Sequence, residues 1–132
     1  MRNILVVDDS ALMRRVICDI INTDKQFQAN DVCRDGLEAY ERLKTTSYDA
    51  VILDVNMPKM DGLGVMEKLK EDKSLKKFPA IIVLSAIGQE SVTEDAFALG
   101  ASYYIMKPFN NEMLLGRLRS FLKHGEKLKR PV

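Results

Sequence analysis

Three of the aspartates directly follow short apolar runs, at two separate points of the chain. Asp8 and Asp9 follow Ile4–Val7, and Asp54 follows Ala50–Leu53. Carboxylates that are brought together repel one another unless a cation compensates them. Mg²⁺ prefers oxygen ligands, often takes one or two carboxylates and keeps water or phosphate oxygens in its other positions. If the fold gathers these acids, they predict a Mg²⁺ or Mn²⁺ site with a phosphoryl oxygen as a further ligand.

Two more polar residues follow apolar runs in the second half of the chain. Ser85 follows Ala80–Leu84, and Lys107 follows Tyr103–Met106. Phosphoryl transfer requires neutralisation of the charge on the phosphoryl oxygens, which an ammonium group can share with a metal. A serine hydroxyl can donate a hydrogen bond to another of these oxygens. The two residues therefore favour phosphoryl chemistry at the acidic site.

The nucleophile of such a site should be the acid that stands alone. Asp8 and Asp9 form a pair suited to holding a metal, whereas Asp54 is isolated, and an aspartyl phosphate is an established covalent form of carboxylate catalysis. Taken singly, each polar residue has a simpler explanation as a helix cap, a turn residue or a surface charge. Their shared position after four apolar runs favours one convergent site.

Continuous apolar runs alternate with amphipathic segments along the chain. The four runs named above are typical of strands buried on both faces, and Phe27–Cys33 is a weaker, less buried candidate. Ser10 suits the start of the first helix, whose Arg14, Arg15 and Asp19 should face outward, and Gly100 suits the end of the fourth. The apolar positions that mark five helices are Leu12, Met13, Val16, Ile17, Ile20 and Ile21; Leu37, Tyr40 and Leu43; Leu63, Met66 and Leu69; Val92, Ala96 and Leu99; and Leu114, Leu118, Phe121 and Leu122.

Five consecutive β-α units predict an α/β fold with a doubly wound, five-stranded parallel sheet and helices on both faces. Ligands of such sheets bind beyond the carboxyl ends of the strands, where the strand order reverses. All five polar residues of the predicted site fall at those ends. The residue pattern alone leaves the strand order open.

Composition excludes several other classes of protein. The 132 residues fit one domain, and 20 basic against 19 acidic residues give no electrostatic case for nucleic acid or an anionic membrane. Cys18 and Cys33 lack the spacing of a zinc site, and His124 is the one histidine. Ile4–Val7 is too short for a signal peptide or a membrane span. We expect a cytoplasmic protein that binds neither membrane nor nucleic acid.

Four motifs of the chain resemble those of the receiver domains of two-component response regulators. They are Val6-Val7-Asp8-Asp9-Ser10, Leu53-Asp54-Val55-Asn56-Met57-Pro58-Lys59-Met60-Asp61-Gly62, Leu84-Ser85-Ala86 and Lys107-Pro108-Phe109. The resemblance covers about residues 3–122. It implies a flavodoxin-like three-layer fold with strand order 2-1-3-4-5, a bacterial receiver domain over residues 1–123, and a C-terminal tail or the start of a linker over 124–132.

The resemblance implies roles for the acidic residues. Asp54 would be the phospho-acceptor, taking the phosphoryl group from a sensor histidine kinase or a phosphotransfer protein. Asp8, Asp9, Asp54 and the backbone carbonyl of Asn56 would hold Mg²⁺. The domain would catalyse its own phosphorylation and dephosphorylation without being an enzyme for other substrates.

Further roles are implied at the ends of the fourth and fifth strands. Lys107, Ser85 and Ala86 would bind the phosphoryl group, and the peptide bond before Pro108 would be cis. Ser85 and Tyr104 would form a switch pair that changes the surface of the fourth helix, fifth strand and fifth helix. That surface would control an output domain or an effector protein, and phosphorylation would be able to drive homodimerisation.

The subfamily and several rival classes stay open from the sequence. Val6–Ile17 is similar to the receiver of the chemotaxis methylesterase, whereas Ser85–Phe109 is more similar to that of the sporulation regulator. No output domain fits after residue 122, so we expect either a stand-alone receiver or a fragment of a longer transcription factor or methylesterase. An aspartate-nucleophile phosphohydrolase would usually carry Asp-x-Asp after its first strand. A flavodoxin-like flavin carrier and a receiver that is never phosphorylated would share the predicted fold.

Overall fold

Strands and helices alternate throughout the residues 1–57, 60–72 and 78–124 that the computed structural model describes. The strands are β1 (Arg2–Val7), β2 (Phe27–Cys33), β3 (Ala50–Asp54), β4 (Ala80–Ser85) and β5 (Tyr103–Met106). The helices are α1 (Ala11–Asn22), α2 (Gly36–Thr45), α3 (Gly62–Glu71), α4 (Glu90–Ala98) and α5 (Asn111–His124). All five predicted β-α units are confirmed. Pro58 and Lys59 of the longest motif, and the basic tail after His124, lie outside the described residues.

The five strands form one parallel sheet in the order β2-β1-β3-β4-β5, which confirms the order implied by the resemblance. The order reverses between β1 and β3, so the carboxyl ends of these two strands flank the crevice where ligands bind in such sheets. In the register, Val7 pairs with Leu53, and Asp54 pairs with Leu84. The residues that end β1, β3 and β4 therefore lie side by side.

Two apolar layers fill the space between the sheet and the helices. One lies under α2, α3 and α4, and the other lies under α1 and α5. β3 and β4 are buried along their whole length because helices cover both faces of the sheet, whereas β2 lies at the edge and is partly exposed. Among the described residues, no helix is both long and apolar enough to cross a membrane.

The prediction that the apolar positions of the helices are buried is wrong at three residues, two in α1 and one in α2. Leu12 is 74% exposed, and Val16 and Leu37 are also exposed. α1 rests on the sheet through a neighbouring row that contains Ile17 and Ile21, both fully buried. Adjacent residues differ by about 100° around a helix, so the row of Leu12 and Val16 points away when that of Ile17 and Ile21 points inward. The face that a helix buries depends on its rotation over the sheet.

Two short-range predictions are confirmed at the helix ends, and a glycine near the site has a steric role. The Ser10 hydroxyl accepts the Met13 N–H at 3.2 Å and so caps α1. Gly100 has a φ of 111°, a left-handed conformation that suits the end of α4. A Cβ atom on Gly62 would lie 2.8 Å from the Asp54 carbonyl oxygen, so α3 can begin this close to β3 only with glycine.

Candidate functional site

Three aspartates converge at the carboxyl edge of the sheet. Asp8 directly follows β1 and is 1% exposed, Asp54 ends β3 and is 4% exposed, and Asp9 is exposed. One carboxylate oxygen from each residue lies within 4.8 Å of the others. The strands on either side of the reversal point thus bring together the acids that sequence reasoning placed in one site.

Backbone N–H groups hold one oxygen of each buried carboxylate. Asp8 Oδ1 accepts the Ser10 N–H at 2.9 Å, and Asp54 Oδ1 accepts the Asn56 N–H at 3.0 Å. Both are local contacts across two residues, so the loops after β1 and β3 fix the orientation of the two side chains. The second oxygen, Oδ2, of each carboxylate is left for longer-range contacts.

Lys107 joins the two buried carboxylates. Its Nζ lies 3.3 Å from Asp54 Oδ2, where it donates a hydrogen bond, and 3.6 Å from Asp8 Oδ2. The Lys107 side chain is 28% exposed, and the peptide bond to Pro108 is cis. Within the described part of the chain, the Lys107 ammonium group therefore faces three converging carboxylates, which leaves these groups with an excess of negative charge.

Asp8 Oδ2 is the most poorly satisfied atom of the site. It is buried and has no hydrogen-bond partner among the described residues. Burial raises the pKa of the Asp8 carboxyl, and the charges of Asp54 and Asp9 raise it further against the lowering effects of the Ser10 N–H and Lys107. A buried carboxylate oxygen without a hydrogen bond, beside two further carboxylates, matches the oxygen ligands that Mg²⁺ prefers. The residues present therefore fit a divalent cation.

Ser85 and Ala86 extend the site from the end of β4. Ser85 is buried, and its carbonyl accepts the Lys107 N–H at 2.7 Å, which ties the end of β4 to the end of β5. The Ala86 N–H donates to Oε1 of Gln89 at 2.6 Å. The structure thus brings both residues to the edge that carries the acids.

Tyr104 lies apart from the acids, on the outer part of β5, and is 40% exposed. Its ring packs edge-on against Phe97, with 6.0 Å between ring centroids, and the Arg117 guanidinium lies 5.9 Å from its centroid. A cavity of about 220 Å³ is lined by Tyr104, Ser85 and neighbouring residues of α4 and β5. Space therefore connects the predicted switch pair. Phe97, which is not among the apolar positions that mark α4, is 40% exposed.

Sequence reasoning missed two contacts of the site. Arg14, predicted to face outward, is half-buried and donates from Nη1 to the Asp8 carbonyl at 2.7 Å. A signal for this contact was available, because Arg14 lies one turn after the cap Ser10 and so above the loop that carries Asp8. The hydrogen bond between the Gln89 side chain and the Ala86 N–H was not predicted, and no local sequence pattern indicates it.

Comparison with known proteins agrees with this geometry. The family model of the response regulator receiver domain matches residues 4–119, and the chain belongs to this family. The chemotaxis protein CheY of Treponema pallidum is 38% identical over 123 residues, which cover 91% of this chain and 82% of that protein. A protein-glutamate methylesterase/protein-glutamine glutaminase of Methanospirillum hungatei is 38% identical over 110 residues, covering 82% of this chain but 31% of that protein.

A solved structure of chemotaxis protein CheY4 of Vibrio cholerae matches with a TM-score of 0.80 and 30% identity, over 91% of this chain and 98% of that chain. The flavodoxin-like receiver fold is thereby confirmed. As a member of the receiver family, the chain is a signalling switch of two-component systems with a general phospho-acceptor role. This membership separates the chain from the flavin carriers that share the predicted fold.

Proposed function

We propose that this domain is a Mg²⁺-dependent switch in which Asp54 accepts a phosphoryl group from a phosphohistidine. The donor is a sensor histidine kinase or a phosphotransfer protein. One observation carries the proposal: Lys107 contacts both Asp54 and Asp8 at the edge of the sheet where three carboxylates converge. A purely structural ion pair would not require the two further acids.

The metal ligands are the carboxylates of Asp8, Asp9 and Asp54 with the backbone carbonyl of Asn56. The Oδ2 atom of buried Asp8 supports this choice, because among the described residues it accepts no hydrogen bond and has only the ion pair with Lys107. When bound, Mg²⁺ would neutralise charge on the phosphoryl oxygens, and Mn²⁺ can substitute for it.

The transfer forms one bond and breaks one. A carboxylate oxygen of Asp54 attacks phosphorus, the P–N bond of the donor breaks, and its electron pair returns to the imidazole. In this step Lys107 neutralises a phosphoryl oxygen, and the Ser85 hydroxyl and the Ala86 N–H donate to others. Since these groups belong to the receiver, the domain catalyses its own phosphorylation and dephosphorylation and acts on no other substrate.

The switch couples this event to the surface of α4, β5 and α5. Ser85 moves toward the new phosphoryl oxygens, and Tyr104 turns from its exposed position into the cavity between them. The outward ring of Tyr104 and the cavity of about 220 Å³ support this step. The altered surface then binds an effector protein or output domain, or a second copy of the domain.

The setting follows from these partners. We propose that residues 1–123 form the receiver and that 124–132 are a tail or the start of a linker to a larger regulator. The domain works in the bacterial cytoplasm, where the kinase modules lie, and its two free thiols, Cys18 and Cys33, suit that reducing compartment. Neither nucleic acid nor membrane is a direct partner.

Intact mass spectrometry after incubation with Mg²⁺ and acetyl phosphate tests the proposal. We expect the mass of one phosphoryl group to appear, and to be absent without metal and in Asp54→Ala. Asp24→Asn, at the other end of the sheet, is the matched control and should be phosphorylated normally. Failure of the wild type with acetyl phosphate, with a phosphorylated kinase and with beryllofluoride would refute the phospho-switch.

A further inference from the structure

Gln89 occupies the N-cap position of α4 but does not cap it. Among the described residues its side chain makes no hydrogen bond to the first turn of the helix. Good N-caps have short side chains, such as serine or aspartate, that reach the N–H groups two or three residues ahead. The longer Gln89 side chain reaches backward instead, and its Oε1 accepts the Ala86 N–H at 2.6 Å. Gln89 therefore serves the loop before α4 rather than the helix.

The N–H that Gln89 occupies belongs to the edge of the phosphorylation site. Successive residues of a central strand form hydrogen bonds with opposite neighbours. The Leu84 carbonyl accepts the Val55 N–H from the β3 side at 3.2 Å, and the Ser85 carbonyl accepts the Lys107 N–H from the β5 side. Ala86 comes directly after Ser85, the last residue of β4, and Leu84 of β4 pairs with Asp54 of β3. The Ala86 N–H therefore belongs to the same edge of the sheet as the acceptor carboxylate.

The loop is built to hold a carbonyl oxygen at this donor. The Gln89 N–H donates to the Ala86 carbonyl at 3.1 Å, so backbone and side chain of Gln89 bind Ala86 reciprocally. Gly88, with a φ of 95°, supplies the left-handed turn that brings Gln89 back. The amide oxygen is an uncharged acceptor at the position where a phosphoryl oxygen would accept the same hydrogen.

We propose that Gln89 is a positioning residue that competes with the phosphoryl group for the Ala86 N–H. The inference rests on the proposed phosphorylation of Asp54. Phosphorylation displaces the side-chain amide of Gln89, and the released side chain loosens the loop from which α4 begins. Gln89 thereby lowers the affinity of the site for a phosphoryl group and links occupation of the site to the start of α4.

The size of the effect follows from the two hydrogen bonds that compete. A charged oxygen forms a stronger hydrogen bond with an N–H than a neutral amide oxygen does, so the phosphoryl group wins. Breaking the contact with Gln89 nevertheless has a cost, since a neutral hydrogen bond contributes modestly to stability. Removing the competitor should therefore tighten binding of a phosphoryl analogue by about threefold to tenfold.

Beryllofluoride binding in the presence of Mg²⁺ tests the competition in the full chain, with affinity followed by ¹H–¹⁵N NMR. We expect Gln89→Ala to bind about threefold to tenfold more tightly than the wild type. Gln89→Glu, which keeps an acceptor oxygen and adds a charge, should bind more weakly. Glu90→Ala is the matched control, because Glu90 accepts the Gly88 N–H at 3.3 Å in the same loop without contacting Ala86. It should leave the affinity near that of the wild type.

Hydrogen exchange of the Ala86 amide, measured without beryllofluoride, provides an independent readout. Exchange should accelerate in Gln89→Ala and stay slow in Glu90→Ala. Equal beryllofluoride affinities of wild type and Gln89→Ala, or equal shifts in Gln89→Ala and Glu90→Ala, would overturn the competition while leaving the phospho-switch intact. A wild type that binds no beryllofluoride would instead refute the phospho-switch, and the inference would fall with it.

Discussion

Acidic side chains lie at both ends of the sheet, but they are compensated in different ways. At the amino end, Asp49 lies 3.8 Å from the Arg2 guanidinium, and Asp24 accepts a hydrogen bond from Arg119 at 3.2 Å. At the carboxyl end, three carboxylates converge around the ammonium group of Lys107. Each of these two acids at the amino end has a guanidinium partner, whereas at the carboxyl end, within the described part of the chain, Lys107 faces three acids.

The two ends also shift the pKa values of their carboxyls in opposite directions. The Gln26 N–H, together with Arg119, lowers the pKa of Asp24, whereas burial raises the pKa of Asp8. A lowered carboxyl pKa means that folding favours the charged form, and a raised pKa means that folding opposes it. The amino end therefore stabilises the fold with its acids. At the carboxyl end the buried, clustered acids lower the stability of the fold. A site for a cation and a phosphoryl group requires this cluster of negative charge.

Removing the cation at the carboxyl end should have the largest effect. In Lys107→Ala, a phosphoryl oxygen loses its ammonium partner, and we expect the rate of phosphorylation by acetyl phosphate to fall about 100-fold or more. The matched change at the amino end, Arg119→Ala, should leave that rate unaltered. Time-resolved intact mass spectrometry measures both variants. A rate in Lys107→Ala within a few-fold of the wild type would contradict the assigned role.

Adding Mg²⁺ should neutralise the clustered carboxylates at the carboxyl end of the sheet and leave the amino end unaffected. We expect Mg²⁺ at ten times its dissociation constant to stabilise the fold by about 1.4 kcal/mol, which corresponds to a rise in Tm of about 5 °C. Thermal unfolding followed by circular dichroism, with Mg²⁺ against EDTA, gives the shift. Asp24→Asn should keep the shift, and Asp54→Ala should lose most of it. An equal shift in both variants would show that Mg²⁺ acts elsewhere.

Neutralising one acid of the cluster should stabilise the protein when no metal is present. Because the pKa of Asp8 is raised on folding, its ionised form costs stability at neutral pH, and this cost disappears as the pH falls through the folded and then the unfolded pKa. Asp8→Asn removes that charge. We expect the free energy of unfolding in EDTA at pH 7 to rise by about 1 kcal/mol. Urea denaturation measures it, and a loss of stability would argue against net repulsion at the site.

The sequence predicts some features of the fold and of the site, and these are the features that depend on local signals. Apolar runs and short-range caps are local signals, so the five strands, the Ser10 cap and the positive φ of Gly100 could be predicted. The polar residues that follow the strands meet at one edge because parallel strands share a direction, and this too follows from the residue pattern. The strand order came from the resemblance to receiver domains, since the residue pattern left it open.

Features that depend on orientation between elements were predicted poorly. The rotation of α1 over the sheet exposes Leu12 and turns Arg14 toward the Asp8 carbonyl, and both outcomes were predicted the other way. The contact of Gln89 with Ala86 depends on a left-handed turn at Gly88 and on a long side chain that reaches backward. These contacts arise from the assembled fold, and the periodicity of a single helix does not predict them.

The smallest effect is expected from removing an acid at the amino end, with a sign opposite to that of Asp8→Asn. Asp24 accepts the Gln26 N–H at 2.9 Å and pairs with Arg119, so Asp24→Asn should lower Tm by a few degrees at pH 7. Because the pKa of Asp24 is lowered on folding, its contribution is present above the unfolded pKa and is lost as the pH falls through the folded value. The Tm difference from the wild type should therefore shrink below about pH 4.

Asp19→Asn is the matched control, since Asp19 and Arg15 form an exposed pair at 4.0 Å, and its Tm should follow the wild type at every pH. A Tm difference for Asp24→Asn that widens in acid would reverse the sign assigned to the amino end and remove the contrast between the two ends of the sheet.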